Sequence, residues 1–430
     1  MIIKNCLAFF IFFFFAFNLK AQKEILSKVD TLQLFSLYRN LHQHPELSGK
    51  EVETAQLLKG ELKQLGFTII DSLGFNSFAG ILKNGNGPTV LYRTDMDGLP
   101  IKETTGAFYA STQTTMTEGW AIPVMHACGH DFHMSSWVGV ARILSFSKKK
   151  WKGTVIFLAQ SSEETGQGAK GVIHSNYFST LPKPTYQLAI HDTPDLTSGT
   201  FGFCNKYSMA AVDMMNITIY GKGGHGAEPF KAIDPILLSA NFITEIQSIT
   251  SRNLAFNTPA VITVGAINGG TVGNIIPDKV ELKLTIRTFS PESRLYVLKR
   301  IEEIGNYLAL AAGLTESEFP TYNLLDMSIP AVYNAPKLGE DLKNSIQKSN
   351  SGYQIADVLP KMIGEDFGIY SNSTEIPSYL IWVGVSSTNE AKQQQSTSLH
   401  TSTFLPDYQT ALPITVDAIS NCIIDLLNKH

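Results

Sequence analysis

The strongest constraint on the fold is a change of pattern near residue 208. Before it, "TVLYRTD" (89–95), "GTVIFLAQ" (153–160) and "YQLAIHD" (186–192) read as short buried strands, and the helical run "HMSSWVGVARILSF" separates the first two. Strands alternating with helices predict an α/β domain on a mostly parallel sheet. Beyond the change, "DMMNITIYG", "AVITVGAI" and "KVELKLTIRTF" read as strands, two helices interleave with them, and "SEFPTYNLLDM" supplies a further strand. That β-α-β-β-α-β order is a compact two-layer α+β unit. Helix and strand resume after Pro330. Residues 208–328 therefore read as a smaller domain inserted into a discontinuous larger one, residues 22–207 and 329–430. A chain of 430 residues is long enough for both.

Local signals support the element boundaries. Ser48 and Glu51 in "SGKE" predict a capping box, opening a helix that stops at Gly66. Asp234-Pro235 and Ser290-Pro291 predict the starts of the two inserted helices, the second stopping near Gly313. "EAKQQQSTS" reads as an exposed loop.

The net charge is −4 and there is no long basic run, which argues against nucleic acid and anionic membranes as partners. The apolar stretch "CLAFFIFFFFAF" follows Lys4 and precedes "NLKAQ", so residues 1–21 read as a secretory signal peptide, with an uncleaved anchor as the alternative. The expected product is exported, to a periplasm or the medium, with no membrane span once the signal is removed. It keeps Cys128, Cys204 and Cys422, too few for a disulfide framework.

Chemistry-bearing residues cluster. "VMHACGHDFH" (124–133) packs three histidines, a cysteine and an aspartate together. If 126–130 is extended, His126, Cys128 and His130 share one side and can reach one ion. A Cys128 nucleophile with a histidine base, or a buried polar corner, would use the same residues. In "SSEETGQG", adjacent carboxylates on extended backbone point apart, so one of Glu163 and Glu164 can bind metal while the other faces water. A solvated acidic turn is the plainer reading. His191 and His400 are each weak alone. Asp95 and Asp97 would share a face and could orient a ligand histidine. In the insertion, "GKGGHGAEP" exposes His225 near a reacting carbonyl or as a loop residue, and "GGTVGNIIP" presents Asn274. Alternation in "KVELKLTIR" puts Val280, Leu282, Leu284 and Ile286 on one side and Glu281, Lys283 and Arg287 on the other. Arg287 is then a solvated charge or a grip for a substrate carboxylate.

The combination resembles the metal-dependent aminoacylase/carboxypeptidase family, in the branch of hippurate hydrolases and auxin–amino acid conjugate hydrolases. "RTDMDGLPIKE", "MHACGHDFH", "SSEETGQGAKGVI", "GKGGHGAEPFKAIDP", "GGTVGNIIP" with "IRTF", "GEDFGIY" and "LHTSTF" stand in the family's order, across about residues 30–420. The resemblance implies a two-domain α/β fold: a zinc-exopeptidase-like catalytic domain interrupted by an α+β lid. It implies two divalent metal ions, manganese or zinc, on Cys128, His130, Glu164, His191 and His400. It implies Glu163 as general base, Asp97 as the carboxylate orienting the metal site, His225 at the oxyanion, and Asn274 and Arg287 at the substrate's carboxylate. Ser161-Ser162, Asp192 and Phe230 depart from the family's usual residues. The implied substrate is a small N-acyl amino acid or dipeptide, cleaved at its amide bond. A homodimer through the lid is permitted by the apolar "NITIY" segment, read as an edge. A non-catalytic binding protein for amino-acid conjugates is the alternative from another class.

Overall fold

The structure is a computed structural model that describes residues 31–429, apart from 118, 177, 351 and 388–397. The expected signal peptide and most of "EAKQQQSTS" lie outside the described residues.

Eight strands form the large sheet: β1 (Thr68–Ile70), β2 (Phe78–Asn84), β3 (Thr89–Asp95), β4 (Gly153–Gln160), β5 (Tyr186–Thr197), β6 (Thr200–Phe203), β11 (Gln354–Asp357) and β12 (Ser378–Ser386). Their spatial order is β1-β2-β4-β3-β5-β12-β6-β11. The central run β4-β3-β5-β12 is parallel, while β1, β2 and β6 pair antiparallel with their inward neighbours. The sheet is therefore mixed, with a parallel centre. Parallel strands are covered on both faces, so they read as continuous apolar runs. Val90 and Tyr92 point into one layer and Leu91 into the other. Helices His130–Phe146, Pro336–Ser349 and Tyr408–Leu427 cover the first face, and Gly168–His174 covers the second.

The inserted segment forms a separate antiparallel sheet of β7 (Ala211–Tyr220), β8 (Ala260–Gly269), β9 (Lys279–Thr288) and β10 (Thr321–Leu324), in the order β8-β9-β7-β10. Ile217, Ile219, Leu282, Leu284 and Ile286 meet Phe242 and Ile301 of helices Pro235–Ser248 and Pro291–Ala311 in a core of their own. Both helix starts follow the sequence: Asp234 accepts from the N–H of Ile236 and Leu237, and Ser290 from that of Ser293. The chain crosses between the two parts at Val212 and Ile329, whose N–H and carbonyl groups pair reciprocally at 3.0 Å.

Two expectations are corrected. First, "NITIY" is not an edge: β7 lies between β9 and β10, and β8 and β10 are the edge strands. Second, Ser48 and Glu51 form no capping box. The helix Val52–Gln64 is capped from further back by Glu46, whose carboxylate accepts from the N–H of Val52, Glu53 and Thr54 at 3.1, 3.3 and 2.8 Å. Ser48 instead donates to Asp97 at 2.6 Å, and the buried Glu51 accepts from Ser161 Oγ at 2.6 Å and Ser162 N–H at 2.8 Å. Buried polar groups under the site have taken these two side chains, because leaving them unpaired costs more than a helix cap returns.

Glu46→Ala is accordingly expected to cost about 1 kcal/mol in urea unfolding. An unchanged midpoint would show that the cap is idle.

Candidate active site

The site forms beyond the carboxyl ends of the central parallel strands, where ligands gather in open α/β sheets. After Met125 the chain turns rather than extending, and Gly129 sits at φ +75°. A Cβ there would stand 2.4 Å from the Asp192 carboxylate, so only glycine fits. The turn brings Cys128 Sγ to 3.7 Å from His191 Nε2 and 3.2 Å from His400 Nε2. His126, expected on the same side, is buried with neither ring nitrogen hydrogen-bonded among the described residues. Burial lowers its pKa to about 4, so it is neutral.

A second turn follows β4, with Ser162 at φ +60°. It overrides the expected divergence of the acidic pair. Glu163 Oε2 lies 4.0 Å and Glu164 Oε1 3.8 Å from His130 Nε2, while Glu164 Oε2 lies 3.5 Å from His400 Nε2. His400 comes from a remote loop, itself at φ +60°, whose N–H donates to the Ala127 carbonyl at 2.7 Å. Cys128, His130, Glu164, His191 and His400 thus converge, with Glu163 beside them.

These side chains are arranged to receive cations. His130 Nδ1 donates to the Asp97 carbonyl and His191 Nδ1 to the Asp192 carbonyl, both at 2.8 Å. Each ring thereby turns its Nε2 toward the cluster. His130 Nε2 and Glu164 Oε1 are buried with no hydrogen-bond partner among the described residues. Such atoms cost roughly 1–3 kcal/mol each if left unpaired. Thiolate, imidazole and carboxylate donors together suit zinc, manganese or cobalt. The residues present fit two divalent ions: Cys128, His130 and His191 lie within reach of one another, and so do Cys128, Glu164 and His400. Asp97 accepts from Ser48 and from the Glu164 N–H at 3.0 Å, so it fixes both the His130 ring and the acidic turn.

Electrostatics point the same way. Burial, together with Glu365, Glu164 and Asp366, pushes Glu163 well above the usual carboxylate range. Burial raises Glu164 to about 7 and lifts the Cys128 thiol well above its ordinary value. Metal binding would reverse these shifts, since it favours the charged forms. Beneath the cluster, Arg93 is buried and pairs with Asp95 at 2.7 Å, Asp366 at 2.8 Å and Glu365 at 3.0 Å. His133 lies between Asp95 at 2.8 Å and Asp192 at 3.0 Å, which hold its pKa at about 9. Sequence reasoning missed this supporting layer of Arg93, His133, Asp192, Glu365 and Asp366. Its one local signal is charge inside apolar strands, as in "TVLYRTD".

A cavity of about 710 Å³ opens over the cluster. Cys128, Glu163, Glu164, His191 and His400 line its floor, and Thr285 and Arg287 of β9 reach it from the inserted sheet. Among the described residues Arg287 makes no ion pair. His225 and Asn274 do not line this cavity. They sit together within the inserted unit, where Gly226 N–H donates to the Asn274 carbonyl at 2.9 Å, and both are exposed. Phe230 is also exposed there.

The profile of the family described as "Peptidase family M20/M25/M40" matches residues 91–420. An N-acetylcysteine deacetylase of Bacillus subtilis (strain 168) is 35% identical over 361 residues, 83% of this chain and 90% of its own length. An N-acetyldiaminopimelate deacetylase of Leuconostoc citreum (strain KM20) is 34% identical over 385 residues, 88% and 94% respectively. Among solved structures, a Bacillus subtilis protein described as a dinuclear metal binding peptidase of the M20 family superposes with a TM-score of 0.78. It is 29% identical, and the match covers 94% of this chain and 100% of that one.

The helix that starts at His130 is also braced from the N-terminal side. His42 is buried, with Nδ1 2.6 Å from Asp131 and Nε2 3.1 Å from Glu103, and its pKa is raised from 6.5 to about 9. Its contribution to stability is therefore full below pH 6.5 and is lost as pH rises through about 9. It is expected to be worth on the order of a few kcal/mol. His42→Gln should flatten that part of the pH–stability profile of the metal-free protein; a slope kept by the variant would contradict the pairing.

Proposed function

The chain belongs to peptidase family M20/M25/M40 and is a hydrolase acting on amide bonds; from that premise we propose that it is a two-metal amidohydrolase that removes the acyl group from N-acyl amino acids. Acetyl and other short acyl groups stand first, because the relatives named above are deacetylases. Hippurate-like conjugates and dipeptides are the wider range. One observation carries the reading: Glu163 stands beside the converging Cys128, His130, Glu164, His191 and His400 on the floor of a cavity whose far wall offers Arg287, which makes no ion pair among the described residues.

Bound divalent ions would supply Lewis acidity and a lowered pKa for water in contact with them. Glu163 takes the proton from the attacking water as it reaches the amide carbon. It then delivers that proton to the leaving nitrogen. Arg287 holds the free carboxylate of the amino acid, which orients the amide over the floor. Asp97 keeps the His130 ring and the 163–164 turn in place while Glu163 moves its proton. The oxyanion role proposed for His225 and the carboxylate role for Asn274 require the inserted unit to close, or a second copy to lend them, since neither lines the cavity of its own chain.

Export after removal of residues 1–21 is part of the proposal, as is a homodimer through the inserted unit. The open β8 edge and the exposed Ile267, Val272 and Ile275 support the latter, because an unpaired edge beside apolar side chains favours strand pairing.

N-acetyl amino acids should yield free amino acid, chelation should stop release, and zinc or manganese should restore it. Dipeptides cleaved faster than any acylated substrate would move the reading to a peptidase. Glu163→Gln is expected to lower kcat by about 10²–10⁴ with metal content unchanged; near-normal turnover would remove Glu163 as the base. Arg287→Ala should raise KM about 10–100-fold for substrates with a free carboxylate and leave their amides unaffected. Equal losses on both substrates would contradict the grip.

A further inference from the structure

His133 and Asp192 are not used in the mechanism above, yet they are packed against the rings that it needs. Asp192 is fully buried. Its Oδ1 lies 3.0 Å from His133 Nε2, and the other nitrogen of that ring, Nδ1, lies 2.8 Å from Asp95 Oδ1. One imidazole therefore bridges a carboxylate on β3 to a carboxylate on β5. Both of its nitrogens are engaged, so His133 is not free to be a ligand.

The carboxylate has nowhere else to go. Asp192 Oδ1 is 3.5 Å from His191 Nδ1, and Oδ2 is buried with no hydrogen-bond partner among the described residues. On the remaining side, the place of a Cβ on Gly129 is 2.4–2.5 Å from the carboxylate atoms. The His133 ring stacks on His130 at 5.4 Å between centroids and meets His191 edge-on at 4.8 Å. Asp95, His133 and Asp192 thus form a strut between the strand that carries His191 and the helix that starts at His130. A wedged, incompletely paired carboxylate is an unusual choice for a strut that an apolar side chain could fill. Its negative charge is the property that an apolar side chain lacks, and a nearby cation is what such a charge would favour.

We propose that Asp192 is a positioning residue of the metal centre: acting through His133, it sets the His130 and His191 rings relative to each other and strengthens the hold on the ions they face. The inference rests on the two-metal reading above.

The test is titration of the metal-free protein with cobalt(II) alone, followed by the visible absorption of the bound ion, for wild type, Asp192→Asn, His133→Gln and the double variant. Asp192→Asn keeps the shape, removes the charge and exchanges one acceptor oxygen for an amide NH2. Wild type should bind two ions. Asp192→Asn should also bind two, with the weaker-held ion about 10–100-fold looser and an altered spectrum. His133→Gln should show a similar loss, and the double variant should be no worse than the worse single one. His133→Gln carries the same test if Asp192→Asn does not fold.

Unchanged affinity and spectrum in Asp192→Asn would overturn the proposal. Binding of a single ion by that variant would overturn it too, since Asp192 would then be a ligand. Fully additive losses would overturn the route through His133. Wild type that takes up no cobalt would instead bring down the metal reading, and this inference with it.

Discussion

Crowded carboxylates taken out of water are the constraint on which this structure turns. Asp95, Asp97, Glu163, Glu164, Asp192, Glu365 and Asp366 meet at one end of the large sheet with little or no contact with solvent. Arg93 is the buried guanidinium among them, and His133 adds a second positive group. Like charges in a poorly polarisable interior either protonate or acquire a counter-ion. The raised pKa values of Glu163, Glu164 and Asp366 are the first response. Two divalent ions would be the second, and among the described residues His130 Nε2 and Glu164 Oε1 are buried in the cluster without hydrogen-bond partners.

The architecture serves that arrangement. Parallel strands deliver Asp95, the acidic turn after Gln160 and His191 to one rim of the sheet, so residues far apart in the chain become neighbours without long loops. The remaining donors arrive on a glycine-dependent turn and on a loop held by one backbone hydrogen bond to Ala127. The inserted sheet buries its apolar face under its own helices and turns the face carrying Thr285 and Arg287 to the cavity. One part of the molecule thus holds the reacting groups, and the other supplies a charge for the substrate's far end.

Much of this was legible, and the divide between what was and what was not is physical. Strands 89–95 and 153–160 could be read residue for residue, because burial on both faces writes a continuous apolar run. The alternation in "KVELKLTIR" placed Arg287 on the face away from the core of the inserted unit. The five converging side chains were legible only as a set, through the family's motifs, since each histidine alone is ambiguous. What failed depended on partners distant in sequence. Ser48 and Glu51 look like a cap until Asp97 and Ser161 claim them, and Glu51 and Ser161 stand 110 residues apart. The extended reading of 126–130 failed because Gly129 packs against Asp192, a contact that no local pattern encodes. Strand β5 runs on to Thr197, so His191 lies within the strand rather than at its end.

The central claim is that Cys128, His130, Glu164, His191 and His400 hold two divalent ions beside Glu163. Anomalous diffraction from crystals grown with zinc tests it most directly. The account predicts two peaks inside this cluster, each about 2.0–2.3 Å from ligand atoms of these five residues. No peak, or a single peak lodged between His133 and Asp192, would contradict it.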